Sequence, residues 1–224
     1  MKAGVDEAGR GPVLGPLVIA AVLVESEGPL RQLGVKDSKL LSPRKREELE
    51  PKIRAVAHRV ETMVITPAEL NRRMPKTNLN KIEAAAFAAL LKRLRPTEAV
   101  IDACDVDAAR FGRNVAARMR LPTCVLRSEH EADVNHPVVA AASIVAKVLR
   151  DKHVAALCAE HGDVGSGYPS DRKTQAFLEA WVKEKGMLPP FARHEWETSK
   201  RLVARPVATL ASFGTPTPKK KRAS

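Results

Sequence analysis

The order of the apolar patterns is the feature that most limits how this chain can fold. Two short apolar runs, at 3–5 and 17–24, stand on either side of a Gly-Pro turn, which is typical of an antiparallel strand pair. Strand-like runs recur at 58–66, 99–103 and 123–126, and helix-like segments occupy 43–56, 80–94, 107–119, 137–159 and 172–185. Strands that begin as a pair and then alternate with helices predict an α/β protein, in which helices pack on both faces of a mixed sheet.

Length and cysteine content favour an unexported protein with one main domain. A chain of 224 residues is long enough for one large domain, or for a domain with a small appendage. The longest apolar stretch, 13–24, is interrupted by a Gly-Pro pair and is shorter than the roughly 20 residues that a membrane span needs. The three cysteines, Cys104, Cys124 and Cys158, show no paired spacing, which indicates reduced thiols rather than a disulfide framework or a zinc site. We expect a cytoplasmic monomer.

The charge of the chain favours an anionic partner. Lysines and arginines number 38 against 26 acids, a net charge of +12. Four of the basic residues lie at 219–222, which leaves a surplus of eight charges in the rest of the chain. A basic surface attracts a polyanion through phosphate neutralisation and counterion release, although solvated basic faces are common in proteins of every class. The proline-containing tail 206–224 has few helix or strand signals, so we expect it to be disordered.

Two adjacent acids, Asp6 and Glu7, end the first apolar run, and the turn Gly9, Arg10, Gly11 follows. Because alternate residues of a strand face opposite ways, both acids can reach one site only where the strand ends. The glycines allow a substrate backbone to approach closely, and Arg10 offers a planar cation suited to phosphate. The pattern indicates a metal and a phosphate, while an acidic strand end capped by a turn is the alternative.

Two later acids strengthen the prediction of a metal site. Asp102 lies in the apolar run 99–103, where an unpaired buried charge would cost several kcal/mol and therefore needs a counter-charge. Asp133 comes shortly before the helix predicted to begin at Pro137, and capping of that helix is the alternative explanation for this carboxylate. Ligands of α/β sheets gather at strand ends. We therefore expect four acids to converge: Asp6, Glu7, Asp102 and Asp133.

The segment 4–12, Gly-Val-Asp-Glu-Ala-Gly-Arg-Gly-Pro, resembles the opening signature of type 2 ribonucleases H. Five later segments follow in the order of that family: Asp-Ser-Lys at 37–39, Ile-Asp-Ala at 101–103, Glu-Ala-Asp at 131–133, the segment 141–151, and Gly-Ser-Gly-Tyr-Pro-Ser-Asp at 165–171. The match extends over about residues 3–202, and the Asp-Val-Asp at 105–107 resembles the archaeal branch. The stretch 193–198 is more acidic than the family's usual basic stretch around its tryptophan, and the tail has no counterpart.

The resemblance implies a ribonuclease H-like fold: a mixed five-stranded sheet flanked by helices, with a small helical C-terminal region. The catalytic region would span 1–205, with a core at about 1–165 and the helical part at about 166–205, and 206–224 would be the tail. The implied activity is an endonuclease that cuts the RNA strand of RNA/DNA hybrids and also duplex DNA at embedded ribonucleotides, leaving 5′-phosphate and 3′-hydroxyl ends. The family's four acids match Asp6, Glu7, Asp102 and Asp133, which would hold two Mg²⁺ or Mn²⁺ ions.

The resemblance also implies substrate contacts. In the family, backbone groups of the Gly-Arg-Gly turn, here Gly9, Arg10 and Gly11, and the tyrosine matching Tyr168 read the junction between a ribonucleotide and a deoxyribonucleotide. Packing in a Gly-Tyr-Pro turn is the alternative for Tyr168. Lys39, Lys147 and Arg150 are candidate phosphate contacts, with solvated surface cations as the alternative for each. We expect Asp151 to form an ion pair with Arg150 rather than to be a fifth metal ligand.

Two other function classes stay open at this point. A non-catalytic nucleic-acid-binding domain would explain the charge but not the acids, because carboxylates repel phosphate unless a cation lies between them. Another two-metal phosphoesterase, such as a resolvase or a nucleotide phosphatase, would explain the acids. A sliding-clamp partner is a further hypothesis, for which the tail offers a single aromatic residue, Phe213.

Overall fold

The computed structural model describes residues 1–35 and 41–204. The strands are Lys2–Ala8 (β1), Leu17–Val24 (β2), Arg59–Ile65 (β3), Glu98–Asp102 (β4) and Val125–Glu129 (β5). The helices are Gly28–Gln32 (α1), Pro43–Val56 (α2), Pro67–Arg73 (α3), Leu79–Leu94 (α4), Ala108–Met119 (α5), Ala132–Asn135 (α6), Pro137–His161 (α7), Arg172–Lys185 (α8) and Glu197–Ala204 (α9), with a 3₁₀ turn at Met74–Lys76. The Asp-Ser-Lys segment 37–39 and the tail 206–224 lie outside the described residues.

The strands form one mixed sheet with the order β3-β2-β1-β4-β5. β1 pairs with β2 in antiparallel fashion, with Asp6 opposite Ala20, and β2 pairs likewise with β3. On its other side β1 is parallel to β4, which is parallel to β5. The predicted mixed five-stranded sheet is confirmed. Because β1, β4 and β5 run in the same direction, their carboxyl ends meet at one edge of the sheet.

Helices cover both faces of the sheet, as predicted. α7 packs along β1 and β2 with α2 beside it, and its first half is almost entirely buried. α4 and α5 cover the opposite face, where Phe87 and Phe111 meet edge to face. The close approach of α7 depends on Gly4, since a Cβ there would lie 2.4 Å from the backbone carbonyl of Val138.

A smaller cluster of apolar residues joins the C-terminal helices to the turn after β1. Val13 and Leu14 pack there with Leu178 of α8 and with Phe191, and Trp181 lies against the cluster. The backbone N–H of Gly15 donates to the Phe191 carbonyl at 3.0 Å. The small helical C-terminal region is thus attached beside the predicted Gly-Arg-Gly turn.

The last predicted strand is displaced along the chain. The apolar run indicated 123–126, whereas β5 is Val125–Glu129. The Cys124 N–H bonds to the Leu121 carbonyl in a turn, and parallel pairing with β4 extends the strand to Glu129, which lies opposite Asp102. Pairing along an existing strand therefore outweighs the polarity of the residues at its end.

Four helices were not predicted: α1, α3, α6 and α9. They are short, and periodicity is weak over so few residues. At α3 the sequence does carry a start signal, because the Thr66 hydroxyl accepts a hydrogen bond from the Glu69 N–H at 3.2 Å and Pro67 follows the cap. None of the helices in residues 1–35 and 41–204 combines the length and apolarity that crossing a membrane requires.

Candidate active site

The carboxyl ends of β1 and β4 open into one cavity of about 450 Å³, which we call the edge cavity. Its lining contains ten of the eleven residues that the sequence indicated as acids or substrate contacts: Asp6, Glu7, Gly9, Arg10, Gly11, Asp102, Asp133, Lys147, Arg150 and Tyr168. The eleventh, Lys39, lies outside the described residues. Segments far apart in the sequence therefore meet at the edge of the sheet where α/β proteins bind ligands.

Three elements place the four acids. Asp6 and Glu7 lie near the end of β1, where Asp6 is buried and its Oδ1 accepts a hydrogen bond from the Glu7 N–H at 2.7 Å. Asp102 is the last residue of β4, and its Oδ1 accepts from the Ala132 N–H at 2.7 Å. That bond joins the end of β4 to the start of α6, which carries the buried Asp133. The fourth acid comes from a one-turn helix rather than from a strand.

Asp133 does not cap the long helix α7. The N-cap of α7 is His136, whose side chain makes no capping hydrogen bond. Asp133 instead lies in the first turn of α6 and lines the edge cavity.

The electrostatics of the acids favour a bound cation. Burial raises the pKa of Asp6 well above its usual range, and the charges of Glu7 and Asp102 raise it further. Burial also raises the pKa of Glu7. A hydrogen bond from Ser143 and the charge of Lys147 lower the pKa of Asp6. These acids resist full ionisation without added positive charge, and their oxygen atoms are the ligands that hard divalent cations such as Mg²⁺ and Mn²⁺ prefer.

Lys147 is half-buried, which argues against the alternative that it is a solvated surface cation. Its Nζ donates a hydrogen bond at 2.8 Å to the Oγ of Ser143, one turn earlier on α7, and Ser143 is fully buried. Ser143 in turn hydrogen-bonds to Asp6. α7 therefore supplies both a hydrogen bond and a positive charge to Asp6, one of the two buried acids of the cluster.

Arg10 lines the edge cavity but also binds α4. Its guanidinium pairs with Glu83, which is fully buried, and donates to Asn80 Oδ1 at 2.7 Å. Without such a partner a buried carboxylate is strongly destabilising. Glu83 was not predicted to belong to the site. It is the one acidic residue of the alanine-rich helix α4, and that isolation could have indicated it.

Cys104 is hydrogen-bonded to Glu7, one of the four acids. Its Sγ donates a hydrogen bond to Glu7 Oε2 at 3.1 Å, and potential ligand atoms of Glu7, Glu83 and Cys104 all lie within 4.8 Å of one another. Burial raises the pKa of the Cys104 thiol well above its usual range, and the charge of Glu7 raises it further. The thiol therefore stays protonated and orients Glu7, a role that the sequence did not indicate for this reduced cysteine.

Asp151 forms ion pairs, as predicted. It accepts from Arg150 at 3.3 Å and from Arg46 of α2 at 3.1 Å. Arg46 lines the edge cavity and was not predicted to belong to the site. The alternative that Arg150 is a solvated surface cation is wrong, because its side chain is buried and donates to the Ser166 carbonyl.

Tyr168 lies at the rim of the edge cavity, where the residue is 40 % exposed. The Arg150 guanidinium carbon is 5.2 Å from the centroid of its ring. A Cβ built on Gly11 would lie 3.4 Å from the ring. Gly9 adopts a φ of +86°, and a Cβ there would lie 2.7 Å from the Pro16 carbonyl oxygen. The tyrosine and the turn thus border the same space.

Comparison with known proteins assigns the chain to a family. The sequence matches the family model described as Ribonuclease HII over residues 3–199. It is 45% identical over 214 residues to the Ribonuclease HII of Methanoregula boonei, an alignment that covers 95% of this chain and 100% of that protein.

Solved structures give the same result. The crystal structure of ribonuclease H2 from Pyrococcus horikoshii OT3 matches with a TM-score of 0.84 and 40% identity, covering 90% of this chain and 96% of that chain. The structure of the PCNA:RNase HII complex from Archaeoglobus fulgidus matches with a TM-score of 0.84 and 41% identity, covering 95% of this chain and 100% of that chain. The predicted resemblance is confirmed, and the chain belongs to the ribonuclease HII family of ribonuclease H enzymes.

Proposed function

We propose that this protein hydrolyses the RNA strand of RNA/DNA hybrids and cuts duplex DNA at embedded ribonucleotides, leaving 5′-phosphate and 3′-hydroxyl ends. The observation that carries the proposal is the edge cavity. There, acids from β1, β4 and α6 lie beside a glycine turn, a half-buried lysine and a partly exposed tyrosine. Such an activity would serve the removal of ribonucleotides from DNA.

Asp6, Glu7, Asp102 and Asp133 would hold Mg²⁺ or Mn²⁺. Two such ions supply a nucleophilic water at neutral pH and stabilise the oxygen that leaves the phosphodiester. Other residues of the chain control the charge and the orientation of these acids. Ser143 and Lys147 limit the repulsion at Asp6, and Cys104 orients Glu7.

One assay distinguishes this function from the two alternatives. Purified protein is incubated with DNA, RNA, RNA/DNA hybrid and a DNA duplex that carries one ribonucleotide, each with Mg²⁺, Mn²⁺ or chelator. Cleavage of the last two substrates, only with a metal, is the expected result. Binding without cleavage would instead support a nucleic-acid-binding module, and cleavage of DNA without ribonucleotides would support another phosphoesterase.

Substrate choice must depend on the ribose 2′-hydroxyl, since this group distinguishes RNA from DNA. We assign the reading of this group to the backbone of Gly9, Arg10 and Gly11 and to Tyr168. In support of this assignment, the turn and the tyrosine ring border the same part of the edge cavity. Lys147 would act on the phosphate side of the cavity, near the acids, and Lys39 stays a proposed phosphate contact.

Replacing Tyr168 with alanine is expected to lower kcat/KM at a single embedded ribonucleotide by about tenfold or more, the amount that loss of one stacked ring typically causes. The loss on a long hybrid should be smaller, because many ribonucleotides there offer alternative positions for cutting. Steady-state kinetics on both substrates measure the difference. Tyr168→Phe is the matched control, since it keeps the ring beside Arg150 and should spare activity on the hybrid. Equal losses of Tyr168→Ala on both substrates would mean that the ring only packs.

We also propose a sliding clamp as a partner. A protein 41% identical to this chain was solved in a complex with PCNA. The single aromatic residue of the tail, Phe213, is the candidate anchor. The 224-residue protein should elute together with a purified archaeal PCNA in size-exclusion chromatography, and Phe213→Ala should elute separately while cleaving a hybrid as the unchanged protein does. Separate elution of the unchanged protein would refute the partnership.

A further inference from the structure

The carbonyl groups of the Gly9, Arg10, Gly11 turn are bound by two side chains from the far end of the chain. Arg193 donates from Nη2 to the Gly9 carbonyl at 2.7 Å and from Nη1 to the Arg10 carbonyl at 3.1 Å. The indole N–H of Trp196 donates to the Gly11 carbonyl at 3.1 Å. Every carbonyl of the turn therefore has a donor located more than 180 residues later in the sequence.

Arg193 is an unusual residue to bury. Its side chain is 0 % exposed, and within the described part of the chain no carboxylate forms an ion pair with it. Its guanidinium instead uses a third donor on the Gly15 carbonyl at 2.9 Å and lies 4.8 Å from the Trp196 ring centroid. Burial lowers the pKa of Arg193 to about 9. The planar guanidinium places its donors on three carbonyls at once, which fixes the positions of these carbonyls relative to one another.

That geometry sets the direction of the amide groups. In a planar trans peptide the C=O and the following N–H point in opposite directions. Because the Gly9 and Arg10 carbonyls face Arg193, the N–H groups of Arg10 and Gly11 point away from it. Arg10 and Gly11 line the edge cavity, whereas Arg193 does not. Neither N–H donates to another of the described residues, so both are available to a ligand.

The segment that carries Arg193 is itself anchored. Asn71 of α3 donates from Nδ2 to the Ala192 carbonyl at 2.9 Å, and its Oδ1 accepts from the His194 N–H at 2.8 Å. The Arg193 N–H donates to the Val13 carbonyl at 2.9 Å. Arg193 is thus fixed on both sides, which it must be if it is to define the conformation of another segment.

We propose that Arg193 and Trp196 are positioning residues, which hold the 9–11 turn so that the N–H groups of Arg10 and Gly11 face the ribose of the substrate. This inference rests on the proposed function, because it explains how the turn can distinguish a ribonucleotide from a deoxyribonucleotide. It also gives a role to the stretch around the tryptophan, whose sequence departs from the family pattern.

Trp196→Phe tests the inference by removing the indole N–H together with the smaller ring of the indole. It deletes the N–H that binds the Gly11 carbonyl and keeps a ring beside Arg193. The measurement is the affinity for a DNA duplex with one ribonucleotide divided by the affinity for the same duplex without it, with Ca²⁺ in place of the catalytic ions. Loss of one hydrogen bond should reduce this ratio by about two- to tenfold. A purely structural role would change the fraction of folded protein but not the ratio.

Trp181→Phe is the matched control. Trp181 lies against the same C-terminal apolar cluster, and its buried Nε1 has no hydrogen-bond partner within the described residues. Its replacement should leave the ratio unchanged. Arg193→Lys, which keeps the charge but loses the planar donors, should reduce the ratio more than Trp196→Phe does.

The possible results separate the two proposals. If the unchanged protein prefers the ribonucleotide duplex and Trp196→Phe keeps the same preference, the positioning role is refuted while the proposed function stands. If the unchanged protein shows no preference and does not cleave, the proposed function fails and the positioning role with it. A reduced ratio in Trp196→Phe and an unchanged ratio in Trp181→Phe support the inference.

Discussion

Asp6→Asn should reduce metal-dependent cleavage of an RNA/DNA hybrid by about 10³-fold or more, since a catalytic metal ion supplies several kcal/mol of transition-state stabilisation. Asp6 is buried, it lies beside Glu7 and Asp102, and Ser143 binds it. An amide in its place removes a negative charge and weakens the site for a divalent cation. Single-turnover cleavage with saturating Mg²⁺ and with saturating Mn²⁺ measures the effect.

The same variant should fold, and without metal it should be at least as stable as the unchanged protein at neutral pH. The pKa of Asp6 is raised in the folded state, so the folded protein holds this proton more tightly than the unfolded chain does. Stability therefore falls as the pH rises from the unfolded pKa, about 4, through the raised pKa of the folded state. Asn cannot ionise, so Asp6→Asn does not lose stability in this way as the pH rises. The variant should therefore be the more stable protein at neutral pH, and the difference in stability should disappear on acidification.

Thermal unfolding in chelator, from about pH 4 to neutral pH, measures the stability of both proteins. Addition of Mn²⁺ should raise the Tm of the unchanged protein more than that of Asp6→Asn. Asp163→Asn is the chemical control: Asp163 lies on the surface in an ion pair with Lys173 and outside the edge cavity. It should cleave as the unchanged protein does. Full activity of Asp6→Asn with Mg²⁺ would reject the assignment of the acids.

Gly4→Ala should destabilise the protein by about 3 kcal/mol, near the upper end for overpacked sites. A Cβ on Gly4 would lie 2.4 Å from the carbonyl carbon and oxygen of Val138 and 2.5 Å from the Val139 nitrogen. These are backbone atoms in the first turn of α7, so no side chain can rotate away. The helix must move from β1, and it carries Ser143 and Lys147, so cleavage should weaken as well.

Urea or thermal unfolding measures this effect, and a loss of about 3 kcal/mol corresponds to a decrease of roughly 6–12 °C in Tm for a chain of this size. Gly28→Ala is the control, because among the described residues a Cβ at the start of α1 would have only the Ser26 hydroxyl as its near neighbour, at 3.7 Å. Its stability should change by no more than about 0.5 kcal/mol, as at ordinary surface sites. An unchanged Tm in Gly4→Ala would show that α7 is not held against β1 as the structure places it.

Local patterns were sufficient for most of the fold. The predicted strand pair at the N-terminus, the helices after it and the mixed sheet all agree with the structure, because apolar periodicity and cap residues are properties of neighbouring positions. Ser42, for example, accepts a hydrogen bond from the Lys45 N–H at 3.2 Å at the predicted start of α2. The displaced β5 shows where local patterns fail, since its end at Glu129 is set by pairing with β4.

The candidate site divides in a similar way. Positions at strand ends and motif order indicated which acids would meet, and the structure places Asp6, Glu7, Asp102 and Asp133 around one cavity. The residues that orient these acids and shift their pKa values could not be predicted, because nothing in the sequence shows which side chains lie beside them. The thiol of Cys104 becomes a hydrogen-bond donor only because Glu7, 97 positions earlier, lies beside it.

The sequence by itself determined the order of the strands and of the longer helices, which follows from local apolar patterns, and the identity of the candidate acids, which follows from their positions at strand ends and from motif order. Only the tertiary structure decided how the other charges are paired. Arg10 meets Glu83 across 73 positions, and Arg193 meets the Gly9 carbonyl across 184. Such pairs depend on how α4 and the C-terminal segment pack against the sheet, and packing depends on the whole fold rather than on any one segment.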